Sequence, residues 1–125
     1  MKTIIAVIKI DTMNETKAAL SDAGLPSFTA TGRVYGRGKG TWDAKVMEGV
    51  KQNKPEAIAL LGPEPRLRLH KMLTLMVPDS KVKTAIDAIM ASNRSGTPGD
   101  GKIFVLPASE AYSVRTGEQG DAVLD

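Results

Sequence analysis

Apolar positions along the chain change their period several times, and each change marks an element. Lys2 to Lys9 is nearly continuous in isoleucine, alanine and valine, the composition of a strand buried on both faces. Asp11 or Thr12 then offers a helix cap, and Glu15, three residues beyond Thr12, completes a capping box. Thr16, Ala19, Leu20 and Ala23 recur at helical spacing until Gly24 supplies the stop. Threonine, phenylalanine and valine between Ser27 and Tyr35 predict a second strand. Lys71 to Val77 predicts a third, in which Met72 and Met76 alternate and read as core. Pro78-Asp79 then turns the chain into a helix running from about Ser80 to Ser92, its buried face marked by Val82, Ala85, Ile86, Ile89 and Met90. After the turn-rich run Ser95 to Gly101, Lys102 to Leu106 predicts a fourth strand, and a short one is expected at Ala111 to Arg115.

Between the second and third strands the pattern is lost. The stretch from Gly36 to about Leu69 has glycines at 36, 38 and 40, prolines at 55, 63 and 65, and helical spacing only from Asp43 to Gln52. Loops beyond about 15 residues are uncommon in compact domains and are usually functional or mobile. The order is strand-helix-strand, long loop, strand-helix-strand. That is the split βαβ plan of an α+β, ferredoxin-like domain, with four antiparallel strands and both helices on one face. At 125 residues the chain fits a single domain spanning 1–125. The second sheet face is bare in a monomer, which predicts a homo-oligomer.

Composition narrows the chemistry. Cysteine is absent, excluding disulfides, thiol catalysis and cysteine-ligated metal, and a single histidine excludes a paired-histidine mechanism. The longest uncharged apolar run, Met72 to Val77, is far short of the ~20 residues of a membrane span. Met1 to Lys9 lacks the apolar length and cleavage site of a signal peptide, so a cytoplasmic protein is expected. The net charge of +3 is unevenly spread. From Gly32 to Lys71 nine basic residues face four acids, whereas the flanking segments are balanced or acidic. An anionic ligand or acidic partner is therefore sought in the middle segment.

Two glycine-rich basic loops are the candidates for that chemistry: Gly36-Arg37-Gly38-Lys39-Gly40 after the second strand and Gly99-Asp100-Gly101-Lys102 before the fourth. Glycine lets backbone N–H groups approach an anion closely, and a lysine adds a point charge suited to phosphate. Neither loop matches the P-loop or dinucleotide fingerprints, and plain turns remain the simpler alternative for each alone. His70, without a carboxylate partner in sequence, reads as an edge residue. Trp42 stands in the long loop, where an exposed indole asks for a partner or a pocket. No Ser/His/Asp set or paired-carboxylate motif is present, so hydrolysis has no support. Five aromatics in the whole chain are few for a surface that stacks bases.

Gly99-Asp100-Gly101-Lys102-Ile103-Phe104-Val105, followed by Val114-Arg115-Thr116-Gly117-Glu118, resembles the C-terminal signature of the PII nitrogen-regulatory proteins. The opening Met1-Lys2-x-Ile4-Ile5-Ala6-Val7-Ile8-Lys9, with Thr16-Lys17-x-Ala19-Leu20 and Gly24, is similar to that family's first strand and helix. The likeness covers nearly the whole chain in the same order. Gly36-Arg37-Gly38-Lys39, Gly62-Pro63-x-Pro65-Arg66-Leu67 and Met72-Leu73-Thr74 resemble most closely the nitrogenase-associated branch, thought to act by binding nitrogenase itself.

The resemblance implies a homotrimer of ferredoxin-like subunits, with an adenine nucleotide (ATP or ADP) in each of three clefts between neighbours. It implies a long T-loop, here about 36–69, that changes shape with the ligand and docks onto a protein target, here nitrogenase. Carried over by position, Gly99, Asp100, Gly101, Lys102 and Arg115 hold phosphates. Val7, Thr29 and Met76 lie around the adenosine, and Gly36, Gly38 and Lys39 border the phosphates where the T-loop begins. Several positions depart from the family. Gly40 stands where a glutamine helps hold magnesium and 2-oxoglutarate, His70 stands where a lysine pairs with 2-oxoglutarate (Lys71 is adjacent), and Ser113 replaces a second arginine. Magnesium and 2-oxoglutarate are therefore left open. The spacing between Thr29 and Val34 is one residue longer than the family's. The loop from Gly36 to Lys71 has no tyrosine or serine to modify. The resulting expectation is a non-enzymatic signalling protein in nitrogen regulation that binds no nucleic acid. The rivals are a nucleic-acid-binding ferredoxin-like domain and a ligand-binding or metal-tolerance trimer of the same fold.

Overall fold

The structure, a computed structural model, describes residues 1–36 and 67–124. In chain order the elements are β1 (Lys2–Ile8), α1 (Met13–Asp22), β2 (Thr29–Gly36), β3 (Arg68–Val77), α2 (Val82–Asn93) and β4 (Lys102–Pro107). The strands form one antiparallel sheet in the order β2-β3-β1-β4. β1 and β2 thus run parallel with β3 between them, and β3 and β4 run parallel with β1 between them. Each helix is the crossover that such a parallel pair requires. This is the strand order of the split βαβ plan.

Side-chain alternation decides what each strand buries. Ile4, Ala6 and Ile8 of β1 and Leu73, Leu75 and Val77 of β3 share one core with Met13, Leu20, Leu25, Ala85 and Ile89 from the helical layer. The intervening residues Thr3, Ile5, Val7, Met72, Thr74 and Met76 are half-buried on the other face. The register continues that face onto Lys102, Phe104 and Leu106. β1 is therefore not buried on both faces by its own chain, although its unbroken apolar run predicts it. Met72 and Met76 are likewise outside the core, because their parity on β3 is opposite to that of Leu73 and Leu75.

A 3-10 turn precedes each helix, at Ile10–Thr12 and Asp79–Lys81. Thr12 occupies the N-cap of α1 but makes no side-chain cap bond, so the predicted capping box does not form. Its hydroxyl instead donates to Asn93 Oδ1 at 2.5 Å. The Asn93 amide donates to Thr16 Oγ1 at 2.9 Å and to the Ile89 carbonyl at 2.8 Å, and the Thr16 hydroxyl donates to the Thr12 carbonyl at 2.7 Å. Thr16 and Asn93 are both buried, and this closed set of bonds satisfies them. Asn93 rather than Met90 completes the buried row of α2 after Ala85 and Ile89, and Met90 is 46% exposed.

Two boundaries differ from expectation. The β2–β3 ladder runs on through Tyr35↔Leu69 and Gly36↔Arg68, so the irregular stretch is shorter at both ends than Gly36 to Leu69. β2 also carries a bulge: Thr31 pairs with Met72 and Val34 with His70, three steps on one strand against two on the other. The additional residue between Thr29 and Val34 has its place there. The helix expected from Asp43 to Gln52 lies outside the described residues. In the tail, the strand expected at Ala111 to Arg115 is a single bridge between Tyr112 and Gln119. Among the described residues no helix is long and apolar enough to cross a membrane.

Candidate functional site

One end of the sheet gathers the C-termini of β1 and β2 and the N-termini of β3 and β4. Val7 pairs with both Lys102 and Met72, Val34 with His70, and Gly36 with Arg68. Leading into β4, the turn at residues 99–101 takes its shape from two glycines in the left-handed region, Gly99 at φ 98° and Gly101 at φ 109°. Gly101 is also fixed by contact. A Cβ there would stand 2.0 Å from the Val7 carbonyl oxygen, so no other residue fits this backbone. The close approach locks the start of β4 against the end of β1.

Asp100, between these glycines, is engaged within its own loop. The backbone N–H groups of Ser95 and Gly96 donate to its Oδ2 at 2.7 and 3.0 Å, and the Ser95 hydroxyl donates to Oδ1. Lys9 Nζ lies 2.9 Å from Oδ1. The Ser95 hydroxyl, then Lys9 and the two amides, hold the Asp100 carboxyl far below the ordinary carboxylate range, so it is ionised at neutral pH. Lys102, by contrast, is exposed and has no hydrogen bond or ion pair among the described residues. A neutralised carboxylate, a glycine-shaped turn and an uncommitted cation make an arrangement suited to an oxyanion.

Clefts open on both sides of this turn. One of about 510 Å³ lies between Lys9, Arg68, His70 and Gly99. The other, of about 420 Å³, lies between the end of α2 (Ile89, Met90, Arg94) and Gly101 to Ile103. His70 is half-buried within the sheet, not at its edge, and its Nδ1 is 3.1 Å from the Arg68 carbonyl. Among the described residues no three His, Cys, Asp or Glu side chains form a group that could hold a metal ion.

The sequence-predicted residues are brought together only in part. Val7, Gly99, Asp100, Gly101 and Lys102 meet at this end of the sheet. Gly36 is there as a β2 residue with an ordinary strand pairing. Thr29 pairs with Thr74, and Met76 with Thr3. At ~3.3 Å per residue these rows lie about 7 and 13 Å down the open face from Val7. Arg115 is on the hairpin whose turn is closed by Gly117 N–H donating to the Ser113 carbonyl at 2.8 Å, and no hydrogen bond or ion pair ties its side chain to the others. Gly38, Lys39, Gly40 and Trp42 lie outside the described residues. Sequence reasoning missed Lys9, Ser95 and Asn93. Lys9 reads as a strand terminus, and only the Ser95-to-Asp100 spacing of a side-chain-closed turn could have pointed to the second. For the open face, a nucleic-acid platform needs paired aromatics, and Phe104 is its single aromatic among the described residues.

Comparison with known proteins gives a consistent picture. The family model described as nitrogen regulatory protein P-II matches residues 1–118. A nitrogen fixation nifHD region glnB-like protein 2 of Methanococcus maripaludis is 41% identical over 99% of this chain and 100% of its own length. A protein of the same description from Methanothermobacter marburgensis is 38% identical with the same coverage. The nitrogen regulatory protein GlnK2 of Haloferax mediterranei is 35% identical over 98% of this chain and 91% of its own.

Proposed function

This chain belongs to the nitrogen regulatory protein P-II family, a family of regulatory signalling proteins rather than enzymes, and from that premise we propose that it senses ATP or ADP and relays the bound state to a protein target in nitrogen metabolism. The turn at residues 99–102 carries the reading. Its backbone N–H groups and the Lys102 ammonium, unpaired among the described residues, supply positive potential for phosphates, while Lys9 cancels the charge of Asp100 nearby. The chain works as a homotrimer. The open sheet face, with Phe104 51% and Leu106 43% exposed, offers the apolar surface that association would cover. The Val7–Lys102 patch and the Thr29–Met76 patch lie on separate rows of the sheet, and in this reading the nucleotide sits in a cleft where patches of neighbouring copies meet. Arg115 then reaches the phosphates from a neighbour. The segment between β2 and β3, residues 37–67, acts as the T-loop, and relatives described by a nitrogen-fixation region favour nitrogenase as its target.

Calorimetric titration with ATP and with ADP, each with and without 2-oxoglutarate, tests this reading. Tight binding of either nucleotide is expected, with 2-oxoglutarate much weaker because Gly40 offers no side-chain oxygen. Lys102→Ala should weaken ATP by about 1.5–3 kcal/mol, the scale of a hydrogen bond to a charged group, with the oligomer intact. Unchanged ATP affinity in that variant removes the anion site. Sedimentation equilibrium should give a trimer, and a monomer near 13.3 kDa at micromolar concentration overturns the intersubunit cleft.

A further inference from the structure

We infer that Asp100 is a positioning residue of the phosphate site, kept off the ligand by Lys9, and that the Lys9–Asp100 pair is one end of a strap that sets the shape of the turn leading into β4. The inference rests on the nucleotide reading above and assigns the division of labour within it. A carboxylate has about four acceptor sites. Those of Asp100 receive the Ser95 N–H, the Gly96 N–H, the Ser95 hydroxyl and the Lys9 ammonium. None is left for a metal ion or a ribose hydroxyl. The side chain therefore points its bonding back into residues 95–96, and the direction of its pKa shift agrees with full occupancy.

The other end of the strap is Asn93. The chain between α2 and β4 is tied at Asn93 to Thr12 and Thr16, and at Asp100 to Lys9. Both ties go to one short segment, the end of β1 and the start of α1. Between them Gly96 and Gly99 take positive φ, so the intervening turn has the freedom that the two ties remove. Lys9 also has an electrostatic part. An unpaired carboxylate beside a phosphate site repels the ligand, and the side chains of this pair are only 32% and 22% exposed, so water screens that repulsion incompletely.

This division of labour predicts an unusual pattern among three variants, read by calorimetry with ATP and ADP on the full chain. Lys9→Met leaves the carboxylate uncancelled and should weaken both nucleotides at least tenfold. Asp100→Asn keeps an acceptor for the two amides and should weaken them about threefold. The double variant should bind more tightly than Lys9→Met alone, and Lys9→Arg should stay within about twofold of the parent. Losses that multiply in the double variant overturn the inference, because a direct ligand contact by Asp100 is independent of Lys9. So does a Lys9→Met variant of parental affinity. A second readout needs no nucleotide: Asp100→Ala should speed amide hydrogen exchange at Ser95 and Gly96 while leaving the middle of α2 protected. Unchanged exchange there overturns the strap. If the parent binds neither nucleotide while these amides do respond, the strap stands and the nucleotide reading alone fails.

Discussion

After β1 the chain takes a 3-10 turn at Ile10–Thr12 into α1, and after β3 it takes the same turn at Asp79–Lys81 into α2. The residues leading in have nearly the same backbone, Lys9 at φ −65°, ψ 150° and Pro78 at φ −61°, ψ 153°. The two halves part company where each helix gives way to its second strand. α1 stops at Gly24, φ 83°, and the next N–H, of Leu25, donates to the Leu20 carbonyl at 2.8 Å while its side chain enters the core. α2 stops at Arg94 in extended conformation and is followed by a turn held by Asp100, Lys9 and three left-handed glycines. The first return is closed by an apolar plug and the second by polar bonds. An apolar plug stabilises without offering anything to a ligand, whereas a polar turn at the surface can do both, and the second return is where the phosphate site is proposed.

The sharpest way to break that contrast is to add one methyl to each return. Gly101→Ala places a Cβ against the Val7 carbonyl and should cost more than about 3 kcal/mol, combining backbone strain with displacement of β1. Gly24→Ala meets nothing within 4 Å and pays only for its positive φ, about 1–2 kcal/mol. Urea unfolding of both variants measures the difference, and equal losses would show the second return to be as tolerant as the first. Next in size is Asn93→Leu, which removes the amide bond accepted by Thr16 Oγ1, leaving that hydroxyl only its bond to the Thr12 carbonyl, and breaks the tie between the helices. A loss of about 1–2 kcal/mol is expected in the same assay, from the bonds Asn93 makes to Thr12 and Thr16, which each keep one backbone carbonyl as a partner. A neutral result would mean the helices pack without their polar tie.

The smallest effect is in acid. Asp100 and Asp79 both have folded-state pKa values below their unfolded ones, Asp100 through Ser95 and Lys9, Asp79 through the Met1 ammonium at 2.7 Å. A depressed carboxyl stabilises above its unfolded pKa and loses that contribution as pH falls through the folded value. Stability should therefore decline below about pH 4. Asp100→Asn should flatten that decline more than Asp79→Asn, since Asp79 is 70% exposed and solvent weakens its pair with the Met1 ammonium. Thermal melts between pH 5 and pH 2 read the two slopes. A steeper dependence on Asp79 would place the stronger acid-sensitive contact at the wrong half of the molecule.

Strand composition, helical spacing and turn residues made the order of elements readable, because those signals are local. Even the bulge on β2 could be seen as a surplus residue before Val34. The facing of β1 could not be read: a run of isoleucine and valine has no alternation, and only pairing with β3 shows which half meets the helices. Thr12 illustrates the same limit. Its spacing to Glu15 fits a capping box, yet a buried asparagine from the other helix competes for its hydroxyl and wins. At the site, Gly101 and Lys102 were legible as types suited to phosphate. The partner of Asp100 was not, because Lys9 is brought to it only by strand order.

The bulge on β2 also bears on how chain length can vary in such a sheet. Before it, Thr29 and Thr31 stand opposite Thr74 and Met72; after it, Val34 and Gly36 stand opposite His70 and Arg68. Odd positions have handed the open face to even ones. β2 is an edge strand with a single neighbour, so the phase slip is absorbed at Gly32 and Arg33 without propagating into β3, β1 or β4. Deleting one residue here would restore strict alternation on both sides while leaving every other pairing in the sheet as it is. The edge thus acts as a buffer for insertions and deletions, and it lets β2 change its length by a single codon while the central strands keep their register.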